Sequence, residues 1–375
     1  MQKLGVFFLC AFSTLLTCES IQAAAFGPGD LVVLRVGTGS GALASSATAG
    51  FLDEFSVGGG AAVQSLAIAT AVSGSQDALT FSGTATSEGQ LLLSENGKYL
   101  TFAGYNAAPG TASVTTSAAS AVNRVVGVVG STGVIDTSTA INSGITTGNP
   151  RSAVSSDGNQ IWMATSANGV ESITKGTVGA GTQLSTTPSN TRVVGLSLGQ
   201  MYVSAASGAF LGVSTIGTGE PTTSGQTTTA LPGFPITGTH SPYDFLFANS
   251  TTLYVADDGS AASGGGIGKW TLSGGTWSLQ YTLLNNGTTT TGIRAFTLDT
   301  SGANPIIYAL TSSGGSLISI TDTGAGSTST VLETAAANTA FRGIAFAPSP
   351  VPEPSTLAMA IGGGVACMFA LRRKR

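Results

Sequence analysis

Few side chains in this chain could do chemistry, and the most regular of them are arginines. Arg151, Arg192, Arg294 and Arg342 recur at one point of a repeated pattern, just ahead of an apolar strand. Gln90 and Tyr243 hold the same point in two further copies. Guanidinium forks gathered in one place suit carboxylates or sulfates, such as an acidic polysaccharide offers. The same forks could instead take carbonyls or a carboxylate from the neighbouring repeat and lock the two together.

The other candidates are thinner. His240 is the sole histidine, in the turn Gly238-Thr239-His240-Ser241-Pro242, so any Ser-His-acid triad would have to use it. No Gly-x-Ser-x-Gly elbow accompanies it, and it is expected to be a solvent-exposed loop residue. Three cysteines are present, Cys10, Cys18 and Cys367, all in the apolar chain ends. The body between those ends therefore lacks disulfides, thiolate chemistry and the usual zinc ligands, and no metal or cofactor is expected. Calcium could use oxygen ligands alone, with Asp257-Asp258-Gly259 the best candidate, but the spaced acidic ladder of an EF-hand is missing and a solvated turn is expected. Asp53 and Glu54 are adjacent and point to opposite faces of a strand, which rules them out as a glycosidase pair. Gly58-Gly59-Gly60 and Gly264-Gly265-Gly266 read as turn and bulge glycines, since no following helix and lysine make them a phosphate cradle.

These residues sit on short apolar runs bounded by turn signals, with no sustained helical period between Phe26 and Pro348. The pattern predicts an all-β body. The runs also repeat: an apolar strand, a tight turn, then a strand carrying an aromatic. Copies begin at Gln90, Arg151, Arg192, Tyr243, Arg294 and Arg342, with Asn96-Gly97 and Asp157-Gly158 as hairpin turns. A second apolar pair follows each hairpin, as in Ile267–Leu272 and Trp277–Leu283. Four strands per unit at roughly fifty-residue spacing predict a β-propeller of six blades, alternatively seven. A β-helix or two sandwiches would be the other architectures. The last copy stops at Pro348, while Leu31–Val36, Phe51–Phe55 and Val63–Ala69 lack a first strand. Joining them would close the ring and hide both sheet edges. Thr70 to Gly89 and Ala107 to Ala121 read as inserted loops on a propeller face.

The chain ends carry the addresses. Lys3, the apolar run Leu4 to Leu16 and the small residues Ala23-Ala24-Ala25 predict a secretory signal peptide over residues 1–25, recognised by the Sec translocon and signal peptidase. The body spans 26–348, and residues 349–375 form a tail in three parts. Val351-Pro352-Glu353-Pro354 is an extended spacer, 355–371 carries no charge, and Arg372-Arg373-Lys374-Arg375 is a basic stop. Seventeen helical residues would span roughly 26 Å, the short end of a bilayer core. The basic stop should stay cytoplasmic, placing the body outside. Between the ends stand nine basic and sixteen acidic side chains, a net of −7. An acidic body with scattered cations is a poor nucleic-acid binder and has no electrostatic pull towards anionic lipid.

The tail closely resembles the PEP-CTERM sorting signal of exported Gram-negative proteins, also catalogued as an ice-binding-protein C-terminal motif. The resemblance implies an exosortase-type membrane protease that cuts near Pro352-Glu353-Pro354 and passes the protein to the envelope or exopolysaccharide. Leu253–Asp257 resembles strands of NHL and phytase-like propellers. Gly264 to Leu279 resembles blades of other PEP-CTERM-bearing propellers, which have no assigned chemistry to transfer. An ice-binding role is not expected, because the body lacks a regular Thr-x-Thr ladder. The expected function is a non-enzymatic envelope or matrix protein that scaffolds, adheres, or binds carbohydrate or protein. An extracellular polysaccharide hydrolase or lyase is the alternative.

Overall fold

A computed structural model describes residues 24–206, 208–234, 236–260, 263–283 and 292–351. Most of the signal peptide predicted over 1–25, and the tail residues Pro352 to Arg375 with their predicted membrane helix, lie outside the described residues. Among the described residues no helix is long and apolar enough to cross a membrane.

Six blades, antiparallel but for one strand added in parallel to the first, surround a central channel. In chain order the innermost strands are Leu92–Leu93, Pro150–Ser155, Val194–Ser197, Pro242–Asn249, Ile293–Asp299 and Ala340–Phe346. These define the first to sixth blades. The first five carry their next strands immediately downstream, and Val178–Ala180, from the second blade's stretch of chain, adds to the outer edge of the first. The sixth is completed by the start of the body: Ala340–Phe346 pairs with Leu31–Val36, which pairs with Gly50–Phe55 and then Gln64–Ala67. Leu31 stands opposite Phe346 and Val36 opposite Ala340, so the ring closes by hydrogen bonding between its two ends. Closure completes the sixth blade from both ends of the body, so neither end is left as a partial, unpaired sheet.

Alternation in the strands accounts for the core. In the second blade Ile161, Trp162, Met163 and Ala164 are all buried, because both faces of a middle strand pack against neighbouring blades. Trp162 also donates its indole N–H to the carbonyl of Pro221 at 2.8 Å, which satisfies the polar atom of an otherwise apolar side chain. The largest core cluster runs through the second, third and fourth blades, from Val154 and Trp162 to Phe245 and Trp270.

Turn chemistry departs from the expected pattern in one respect. Leu198-Gly199 is a two-residue turn with both φ angles positive, +54° and +69°. Asn96 and Asp157 do not take positive φ; only Gly97 and Gly158 do. Their side chains instead cap the turn, with the Asp157 carboxylate accepting from the N–H groups of Asn159 and Gln160.

Each innermost strand starts at one end of the channel and finishes at the other. The repeated Arg, Gln and Tyr positions mark the starting end, here the arginine end. The hairpins after the innermost strands mark the opposite end. The chain leaves the propeller there: the N–H of Ser349 bonds to the carbonyl of Gly97 at 2.8 Å. That end is here the tail end.

The arginine end of the channel as candidate functional site

Closure brings the six repeated positions together, because every innermost strand begins at the same height around one axis. Tyr243 stands at the centre. It is 1% exposed, and its ring lies under the guanidinium groups of Arg192 and Arg294, 4.9 and 5.4 Å from the ring centroid. Its hydroxyl donates to the carbonyl of Ser87 at 2.6 Å. Burial raises its pKa, and the three arginines 151, 294 and 192 oppose that rise.

Asp258 ties two of the arginines to each other. Its Oδ2 lies 3.2 Å from Arg192 Nη1, 3.0 Å from Arg294 Nε and 2.8 Å from Arg294 Nη2. Burial alone would raise this carboxyl, but the guanidinium groups of Arg192 and Arg294 outweigh it and hold the pKa below the ordinary value. The turn Asp257-Asp258-Gly259 is therefore not solvated as expected. Its first carboxylate accepts from the Ser241 N–H and from His240 Nδ1, at 2.9 and 3.1 Å. His240 accordingly is half-buried and partnered, where the sequence predicted an exposed loop residue. The strand after it supplies the reason, since Pro242 pairs with Asp257 and draws the turn onto the blade.

The other guanidinium contacts at this end go to backbone carbonyls and one side-chain amide. Arg151 Nη1 donates to Asn190 Oδ1 and to the carbonyl of Thr191, at 2.7 and 2.8 Å, in the connection to the third blade. Arg342 Nη2 donates to the carbonyl of Gly83 at 2.7 Å. Arg294 Nη1 donates to the carbonyls of Thr86 and Ser312, at 2.9 and 2.8 Å. Burial depresses the pKa of Arg342 to about 10 even with Glu88 nearby to raise it. The Nε atoms of Arg151 and Arg342 are buried without a partner.

Gly83, Thr86 and Ser87 belong to one segment, residues 82–90, that lies across the arginine end as a strap. The sequence placed this stretch in an inserted surface loop. Its anchors explain the difference. Phe81–Ser82 pairs with Ala47–Thr48, and Glu88, 1% exposed, accepts from the Ser82 N–H, the Tyr105 hydroxyl and Asn149 Nδ2. Gln90, the repeat-position residue of the first blade, donates from Nε2 to Asp244 Oδ2 at 2.6 Å. Asp244 also accepts from the N–H groups of Phe245 and Phe296. Burial pushes both Glu88 and Asp244 up to about 7 despite these donors.

Beneath the strap the channel is apolar. A cavity of about 130 Å³ is lined by residues of all six innermost strands, among them Leu92, Val154, Leu196, Phe245, Phe296 and Ile344. No group of three or more His, Cys, Asp or Glu side chains among the described residues could hold a metal ion. Asp53 and Glu54 face apart, the first accepting from Arg35 and Ser65, the second from Gly27 and Gln64.

Sequence reasoning brought the four arginines, Gln90 and Tyr243 to one place, and missed Asp258, Glu88 and the strap as parts of that place. Only the proximity of Asp258 to Arg294 in the repeat order could have hinted at the bridge. For Glu88 no local signal exists, since its partners lie 6 to 61 residues away.

Comparison with known proteins supplies one assignment. Residues 350–375 match the PEP-CTERM protein-sorting motif. No curated protein matches the chain. Among solved structures, a 6-phosphogluconolactonase candidate from Bacteroides fragilis is similar at 11% identity and TM-score 0.46, over 82% of each chain. A second such candidate, from Bacteroides uniformis, is similar at 13% identity and TM-score 0.46, over 82% of this chain and 83% of that one. The Cps50 (Swd1) β-propeller domain of Myceliophteria thermophila is similar at 8% identity and TM-score 0.38, over 66% and 86% of the two chains. At these identities none of them carries any chemistry across. The sorting motif implies export, processing by an exosortase in the membrane and transient anchoring there before surface delivery. The chain is a six-bladed β-propeller bearing a PEP-CTERM sorting tail.

Proposed function

We propose that the exported propeller is a non-enzymatic component of the cell envelope or exopolysaccharide matrix, a rigid module that scaffolds, adheres or binds without turning its partner over. One observation carries the reading: the carboxyl groups of the arginine end are occupied by arginines, by the strap and by backbone N–H groups. Asp258 is held by two arginines, and Glu88 and Asp244 are buried and fully donated to. A glycosidase needs two carboxyl groups free to reach a bound sugar, and these three are not.

The test uses the full-length protein in detergent, incubated with acidic and neutral polysaccharides and assayed for new reducing ends and for unsaturated uronates. Neither product is expected, and appearance of either overturns the proposal. A glycan array on the same preparation, with Arg192→Gln and Arg294→Gln beside the parent, separates ligand contact from blade locking. Loss of melting temperature with no glycan bound by the parent would end the idea that these arginines meet an acidic polysaccharide.

A further inference from the structure

We propose that, while the tail is attached, the propeller is held with its tail end turned to the outer surface of the membrane and its arginine end turned away. The orientation comes from where the chain leaves the fold. Ser349 is bonded to Gly97, the turn glycine of the first blade's innermost hairpin, close to the channel axis and not at the perimeter. The start of the described chain lies at the same end: Leu31 pairs with Phe346, and the Phe26 N–H bonds to Ser131 in a tail-end turn. From Ser349 to Ser355, where the uncharged run begins, the six-residue step reaches at most about 21 Å when fully extended. To lay the arginine end on the bilayer, that tether would first cross a blade, three strand spacings or about 14 Å. It would then climb the height of a strand such as Tyr99–Tyr105, about 20 Å. The required path exceeds the tether by roughly half its length.

A second observation is independent of the tether. Among the described residues nine large apolar side chains are exposed, and five of them, Val57, Val63, Val134, Leu198 and Val351, lie in tail-end turns and connections. Three of the other four lie on outermost strands, and Val72 lies in the segment 68–79 that leads from the sixth blade to the strap; none belongs to the strap itself. Leu198 is 73% exposed at the tip of its hairpin. A surface dotted with single apolar tips tolerates a lipid headgroup layer. Glu95 and Asp157, exposed on the same end, with Glu220 bonded to Glu95, give it no attraction for anionic lipid. The short tether, not affinity, therefore sets the orientation. Its consequence is that the anchored protein presents its arginine end to the matrix before cleavage.

The body's lack of cysteine makes the test direct. In a Cys367→Ala background, Leu198→Cys reports the tail end, Thr84→Cys the exposed point of the strap, and Val178→Cys a blade perimeter. Each protein is labelled with a small fluorophore and reconstituted through its tail into phosphatidylcholine vesicles containing a headgroup-linked spin quencher. Loss of fluorescence is expected at Leu198→Cys and none at Thr84→Cys or Val178→Cys. Quenching at Thr84→Cys or Val178→Cys equal to that at Leu198→Cys overturns the proposal. A Gly/Ser spacer of about twenty residues after Pro350 should abolish the difference, since such a coil reaches about 25 Å on average and far more extended. A difference that survives the spacer overturns the tether as its cause.

Discussion

Asp258→Asn removes one charge from the arginine end and leaves two guanidinium groups facing each other across its former site. The carboxylate is 10% exposed and its partners Arg192 and Arg294 are 19% and 16% exposed, so water screens the pair incompletely. Removing one member of a buried ion pair costs about 3–5 kcal/mol, and the residual exposure points to the lower end, about 3 kcal/mol. A body of about 320 residues unfolds with an entropy near 0.7 kcal/mol/K, so the melting midpoint should fall by about 4 °C. Calorimetry at pH 7 measures it, with Asp299→Asn, at the half-exposed tail-end terminus of the fifth blade's innermost strand, as a control expected to stay within about 1 °C. The pH dependence gives a second handle. The native pKa of Asp258 is depressed, so its stabilisation is complete above the unfolded value of about 4 and is lost as pH falls through the native value. The two proteins should therefore converge in strong acid. A variant that melts with the parent at pH 7 would show that the bridge is not what holds the fourth and fifth blades at this end.

Other consequences can be checked with the same instruments. Glu88 and Asp244 have native pKa values raised to about 7, so the folded state keeps protons that the unfolded chain has lost; stability should fall as pH rises from about 5 to about 8, and a flat or rising midpoint over that range would refute the burial argument. Truncation after Thr339 removes the innermost strand of the sixth blade and should abolish cooperative unfolding, whereas truncation after Val351 should leave the midpoint unchanged. Gly343→Ala would place a methyl group 2.2 Å from the Leu91 nitrogen and 2.5 Å from the Gly89 carbonyl oxygen, backbone atoms that cannot yield; a loss of several kcal/mol is expected, against about 1 kcal/mol for Gly274→Ala, which meets nothing within 4 Å. Tyr243→Phe deletes one hydrogen bond to Ser87 while keeping the ring under Arg192 and Arg294, so its cost should be about 1–2 kcal/mol, and deuterium exchange should quicken in the strap before it does in the blades.

What could be read without coordinates was whatever the chain repeats or places in sequence. Short alternating runs with turn residues between them predict strands, since a strand's side-chain period is a local property. Six recurrences of one motif predict six blades, and a last copy lacking strands that the first end supplies predicts ring closure. The tail's three parts lie side by side in the sequence, so their meaning needs no fold. The meeting of the four arginines with Gln90 and Tyr243 followed from the same repetition, because equivalent positions in a closed ring must converge.

The chemistry of that meeting was decided only in three dimensions. Asp258 looked like a solvated turn residue because nothing adjacent in sequence shows that Arg192 approaches it from another blade. Residues 82–89 looked like a surface loop because Ser, Thr, Ala and Gly are what loops contain. The strap is made by backbone carbonyls at Gly83, Thr86 and Ser87, and backbone groups leave no trace in residue type. Sequence by itself thus determined the address, the strand class and the ring. Tertiary structure alone decided that the arginine end is closed, because closure depends on distances between segments more than a hundred residues apart in the chain.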